Sequence, residues 1–177
     1  MNNSFSEEFN NLSPDKRTKI EVVWTRGFPA KIISLGTELG LNIFESQELP
    51  EDVSGEIRPG ESPSGFEITV AAFDPRVRKR FTIAHEIAHF LLHRSQIGRG
   101  IQDDALYRSS QSNRIEAQAN RLAADILMPM TYLQQEHDKI RDYQFSDKLE
   151  VLSSTFGVSG TAMGIRLSGI GVFETTD

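Results

Sequence analysis

The residues able to do chemistry are concentrated in one short run. Phe81 to His93, FTIAHEIAHFLLH, holds three of the chain's four histidines and a glutamate in otherwise apolar company. His85, Glu86 and His89 spell H-E-x-x-H. On a helix, residues four apart share a face about one turn from each other. Two imidazoles so placed can converge on one cation, and Glu86, beside the first, can act as general base at the ion's open position. Roughly half a percent of random rearrangements of this composition would contain the pattern. Histidines among Ile83, Ala84, Ile87, Ala88, Phe90 and Leu91 are also costly without a partner. The pattern therefore points to metal-assisted hydrolysis.

A catalytic zinc usually takes three protein ligands and keeps a fourth position open. His93 continues the spacing of four, but it lies eight residues from His85, roughly 12 Å along a straight helix axis. Both cannot reach one ion, so His93 is expected to serve the helix C-terminus, favouring the dipole or bonding a nearby carbonyl. Glu116, in RIEAQAN, is the better third ligand. It would complete a His, His, Glu set from a second helix, after a loop long enough to reverse direction. Asn120, one turn further on, is placed to accept from a histidine N–H or to orient the carboxylate. The chain has no cysteine, so any ligands are nitrogen and oxygen, which suits Zn²⁺ and also admits Mn²⁺.

The elements that must position these residues follow from pattern. Gly65–Ala72 alternates as a strand, and its residues Ile68, Thr69 and Val70 are expected to bind substrate as an exposed sheet edge. Asp74-Pro75 marks the start of the histidine helix, which should run to about Arg94. Asn113–Leu127 is strongly amphipathic, with Ile115, Ala119, Leu122, Ala123 and Ile126 inward. Pro29–Leu39 reads as a short helix that buries Ile32, Ile33, Leu35 and Leu39. Leu41–Phe44 and a VSGEI segment read as strands. Pro129 stops one helix and starts another. Strands followed by helices give an α+β fold. The expected organisation is a flexible polar tail over 1–18, one domain over 19–145, and a helix-turn-helix-like segment over 146–177.

The net charge of −6 argues against a phosphate-driven nucleic-acid binder. The would-be recognition helix of the C-terminal segment carries Arg166 as its only base, so it is expected to brace the domain or dock its target. Arg76, Arg78, Lys79 and Arg80 oppose the dipole of the histidine helix and are expected to be solvated or ion-paired. No apolar run approaches the ~18 residues of a membrane span, and the first residues lack a signal peptide's basic start and apolar core. The expected location is the cytoplasm.

Two segments, RFTIAHEIAHFLLHR and RIEAQANRLAADILMP, resemble the signature segments of the ImmA/IrrE family of zinc metallopeptidases, and the likeness covers about residues 27–173. Ala88 stands where many members have glycine, and alanine suits a helix at least as well. The resemblance implies a zincin-like fold, with a small sheet, an H-E-x-x-H helix and a glutamate-bearing helix. It implies His85, His89 and Glu116 as zinc ligands and Glu86 as catalytic base. It also implies a cytosolic anti-repressor whose substrate is a helix-turn-helix repressor, often encoded beside it. The alternative is a non-proteolytic module that keeps the scaffold and acts by binding a repressor or a toxin–antitoxin partner. For the oxyanion donor the candidates are Tyr107, Tyr132, Tyr143 and His137, among which the residues do not choose.

Overall fold

A computed structural model describes residues 5–98 and 110–169. Eight helices and one three-stranded sheet, counted over these residues, form a mixed α+β fold. In chain order they are α1 (Glu7–Asn10), α2 (Pro14–Thr25), α3 (Ile32–Glu38), β1 (Asn42–Ser46), β2 (Gly55–Pro59), β3 (Phe66–Ala71), α4 (Arg76–His93), α5 (Ser110–Leu127), α6 (Met130–Lys139), α7 (Phe145–Phe156) and α8 (Gly160–Ser168). No described helix is long and apolar enough to cross a membrane.

The sheet order is β1-β3-β2, with β1 parallel and β2 antiparallel to β3. This corrects the expectation for Ile68, Thr69 and Val70. They belong to the middle strand, whose backbone groups are claimed from both sides, so β3 has no edge to offer. All three residues are buried, including Thr69, which alternation alone would place toward solvent. Within the described residues β2 forms one edge. Ala71 N–H donates to Ser54 O at 2.8 Å, and Gly60 N–H donates to Gly65 O at 3.0 Å. Antiparallel ladders alternate, so Ser54, Glu56, Arg58 and Gly60 bond inward to β3. The backbone of Gly55 and Ile57, and the carbonyl of Pro59, are turned outward.

The start of the chain is a second correction. Residues 5–18 are not a flexible tail. Phe9, Leu12, Ile20, Val23 and Trp24 are buried in the main core. Phe5, Phe9 and Trp24 stack with ring centroids 4.6–5.4 Å apart. Polar ties reinforce the packing. Ser6 N–H donates to the Asp125 carboxylate, Glu8 pairs with Arg121, Lys16 Nζ donates to Leu91 O, and Trp24 Nε1–H donates to Ile126 O. The sparse apolar residues of this polar stretch turn inward, apart from exposed Val22, and their side chains supply the burial that its composition conceals.

In α3, Ile33 is exposed while Gly36 faces β1, where a Cβ would meet Ile43 Cδ1 at 2.6 Å. The C-terminal helices pack on the rest of the chain. Gly157 closes α7 in the left-handed conformation (φ 64°), and a Cβ there would crowd Pro29 and Arg80. Ser159 Oγ accepts from Ala162 N–H to cap α8. Arg166 is not a free base. Its guanidinium donates to Asp125, which is fully buried, and to Met128 O. Residues 146–169 of the expected C-terminal segment are thus seen as helices, and 170–177 lie outside the described residues.

Candidate metal centre

Helix α4 begins after Pro75, one residue later than the Asp74 cap expected, and Asp74 instead faces Arg78 at 3.6 Å. Of the basic residues at its start, Arg78, Lys79 and Arg80 have defined partners. Lys79 pairs with Glu45 at 2.8 Å. Arg80 donates to Gly157 O and Ala30 O, both at 3.0 Å, which ties α4 to the end of α7 and to the segment before α3. At the other end, Arg94 donates to Ser64 O and lies over the rings of Phe66 and Phe90. The helix is therefore fixed at both ends, and its buried face includes Glu86, His89 and His93.

Helix α5 packs along α4 and brings its polar positions to the histidines. Its buried stripe is Ala119, Leu122, Ala123, Ile126 and Leu127, with Ile115 half-buried. That stripe sets the rotation that places Glu116, Gln118 and Asn120 against α4. His85 Nε2 and His89 Nε2 are 2.9 Å apart. Glu116 Oε2 is 3.1 Å from the first and Glu116 Oε1 is 3.3 Å from the second. Among the described residues these three form a group able to hold a metal ion.

The donor set fits a divalent cation. Ligands at about 2.0–2.1 Å from a tetrahedral centre lie roughly 3.3 Å from one another. The observed separations of 2.9–3.3 Å are close to that edge length. The tautomers agree. His85 Nδ1 is 3.0 Å from Asn120 Oδ1, which can only accept, so Nδ1 carries the proton and Nε2 presents a lone pair. With His89 in the same tautomer, two lone pairs beside a carboxylate would suit a cation between them.

The electrostatics follow from the same contacts. The imidazoles of His85 and His89 beside it hold the Glu116 carboxyl far below the usual carboxylate range. Burial alone would push His85 down, but the Glu116 contact and the Glu86 charge raise it overall. Burial raises Glu86, opposed by the two histidines and helped by Glu116 and Glu56. A carboxylate with raised proton affinity, beside the ligand group, is suited to accepting a proton. Burial lowers His93.

The cleft over this group is lined by residues 52–59, by Thr82, His85, Glu86 and His89 of α4, and by Glu116 and Asn120 of α5. Gly55 permits the approach of β2 to α4, since a Cβ there would meet Thr82 Cγ2 at 2.5 Å and Thr69 O at 2.8 Å. None of Tyr132, Tyr143 and His137 lines the cleft. Tyr132 packs against Trp24 and Phe28, Tyr143 is exposed, and His137 sits beside Asp138 on α6. Tyr107 lies outside the described residues. His93 lies outside the ligand group, and the carbonyl it meets is the side-chain amide of Gln118 rather than a helix-end carbonyl: it is buried between His89 and Gln118. Gln118 was not legible as part of the site, because its meaning depends on where His93 lands. The VSGEI strand was expected, but its place at the sheet edge beside the cleft was not, because strand order is not written in local alternation.

Comparison with known proteins adds three findings. The model of the IrrE N-terminal-like domain, of the M78 peptidases, matches residues 33–168. No curated protein matches. A solved Mycobacterium tuberculosis transcriptional regulator is similar in fold, with a TM-score of 0.60 and 21% identity over 90% of this chain. This chain spans 48% of that regulator's length.

Proposed function

The chain belongs to the IrrE N-terminal-like domain family of peptidases, and on that premise we propose that it is a zinc-dependent endopeptidase acting on a helix-turn-helix transcriptional repressor. The observation that carries the proposal is the convergence of His85 Nε2, His89 Nε2 and Glu116 within hydrogen-bond distance of one another, with Glu86 adjacent and an open cleft above. His85, His89 and Glu116 would hold the ion, and Asn120 fixes His85 through its Nδ1–H. Zinc is the natural occupant of two imidazoles and a carboxylate, and manganese is the alternative. When bound, such an ion supplies Lewis acidity toward a water and toward a peptide carbonyl.

The chain's own groups do the rest. Glu86 removes the proton from the attacking water and returns it to the leaving nitrogen. The outward N–H and C=O groups of Gly55 and Ile57 receive the substrate as an added antiparallel strand, replacing the role first expected of Ile68, Thr69 and Val70. Such pairing requires a locally extended substrate, so a helical repressor must unwind at the cleaved bond.

The test is Glu86→Gln, assayed on the helix-turn-helix protein encoded next to this chain. Metal should remain bound and cleavage should fall about 10²–10⁴-fold. Cleavage at the wild-type rate would remove Glu86 from the mechanism. Relief of repression by the Gln variant in cells would favour action by binding alone.

A further inference from the structure

The proposed mechanism leaves one buried histidine without a role. His93 is 6% exposed and lies one turn beyond His89 on α4. It is outside the ligand group, yet both of its ring nitrogens are engaged. Its Nδ1 is 3.3 Å from His89 Nδ1, and its Nε2 is 3.2 Å from Gln118 Oε1.

Proton bookkeeping gives this chain a direction. If His89 Nε2 is to offer a lone pair, the neutral ring carries its hydrogen on Nδ1. That hydrogen points at His93 Nδ1, which must accept. A neutral His93 that accepts at Nδ1 carries its own hydrogen on Nε2. There it meets the carbonyl oxygen of the Gln118 amide, an acceptor. Every link is satisfied in one sense only. With the Gln118 amide reversed, two N–H groups would face each other at one of the two contacts.

We propose that His93 is a positioning residue for the metal centre: together with Gln118 it locks His89 in the Nδ1–H tautomer and fixes its ring orientation. The inference rests on reading His85, His89 and Glu116 as a metal site. It makes the two ligating rings equivalent in design. Each is oriented through Nδ1 by an amide of α5, His85 directly by Asn120 and His89 by Gln118 through His93. Partners that orient ligating histidines in this way are worth roughly 10–100-fold in metal affinity. A single helix, α5, thereby supplies one ligand and the alignment of the other two.

The experiment combines tautomer and affinity measurements on the full chain. With ¹⁵N-labelled histidine, long-range ¹H–¹⁵N correlation of the zinc-loaded protein should show His93 protonated on Nε2 and His89 on Nδ1. A His93 protonated on Nδ1 would overturn the proposal. Co²⁺ and Zn²⁺ dissociation constants, from competition with a chromophoric chelator, should rise at least about tenfold in His93→Phe. Gln118→Leu should shift them the same way by less. His93→Gln, whose amide oxygen can accept from His89, should recover part of the loss, which a merely space-filling role would not allow. If wild type binds metal and His93→Phe binds it equally tightly, His93 has no positioning role. If wild type binds no metal, the metal-site reading itself fails. Should His93→Phe not fold, Gln118→Leu and the wild-type tautomers decide the matter.

Discussion

Asp125→Ala should be among the most destabilising single changes in this chain. The carboxylate is fully buried and serves three elements: it sits on α5, accepts from Ser6 N–H at 2.8 Å just before α1, and receives the Arg166 guanidinium from α8. Arg166 is itself only 15% exposed. Removing one member of a buried ion pair costs about 3–5 kcal/mol, because the remaining charge stays desolvated without a partner. The orphaned Ser6 N–H adds to this, though the two losses share one cause and do not simply sum. For a chain of this size each kcal/mol moves Tm by about 2–4 °C, so the fall should be on the order of 6–20 °C. Urea unfolding should show a lower midpoint at an unchanged slope. Adding Arg166→Met should recover at least half of the loss, because the stranded charge is gone. A cost of Asp125→Ala below about 1 kcal/mol, or no recovery in the double variant, would refute the claim that this pair binds the N-terminal helices and α8 to the core.

Two further outcomes are expected. The Glu8 carboxyl is held below its ordinary value chiefly by its hydrogen bond from Arg121. Its contribution is therefore complete above the unfolded-state value of about 4.3 and is lost as pH falls through the lower folded value. Glu8→Gln should cost about 1 kcal/mol at pH 7, since Arg121 is half exposed, and less than that near pH 3. An unchanged cost at low pH would sever the link to ionisation. Gly55→Ala should force β2 away from Thr82, costing about 1–3 kcal/mol and weakening substrate capture in the cleavage assay. Unaltered stability and KM would show that the edge can shift freely and is not the substrate's seat.

The grouping of the candidate site residues was legible because it depends largely on helical period. His85, Glu86 and His89 are set by spacing on one helix, and the stripe Ala119, Leu122, Ala123 and Ile126 fixes which face of the next helix bears Glu116. The rest depends on long-range choices that local pattern does not contain. Phe9, Ile20, Val23 and Trp24 are diluted by polar neighbours, so their inward turn appears only once α5 offers a surface to receive them. The alternation Phe66, Ile68, Val70 marks a strand but cannot say that β1 and β2 flank it. The rule for histidines at helix ends assigned His93 to the helix dipole or a nearby carbonyl, while Gln118 from another helix gave it a buried side-chain partner.

The central claim is that two rings of α4 and a carboxylate of α5 grip one ion. The direct measurement is X-ray absorption and metal analysis of the protein loaded with one equivalent of Zn²⁺, for wild type and Glu116→Gln. Wild type should hold one ion per chain in a shell of two imidazole nitrogens and at least one carboxylate oxygen. The variant should lose the carboxylate scatterer and bind more weakly. A wild-type ion without imidazole in its shell, or a Glu116→Gln protein with unchanged shell and affinity, would contradict the account.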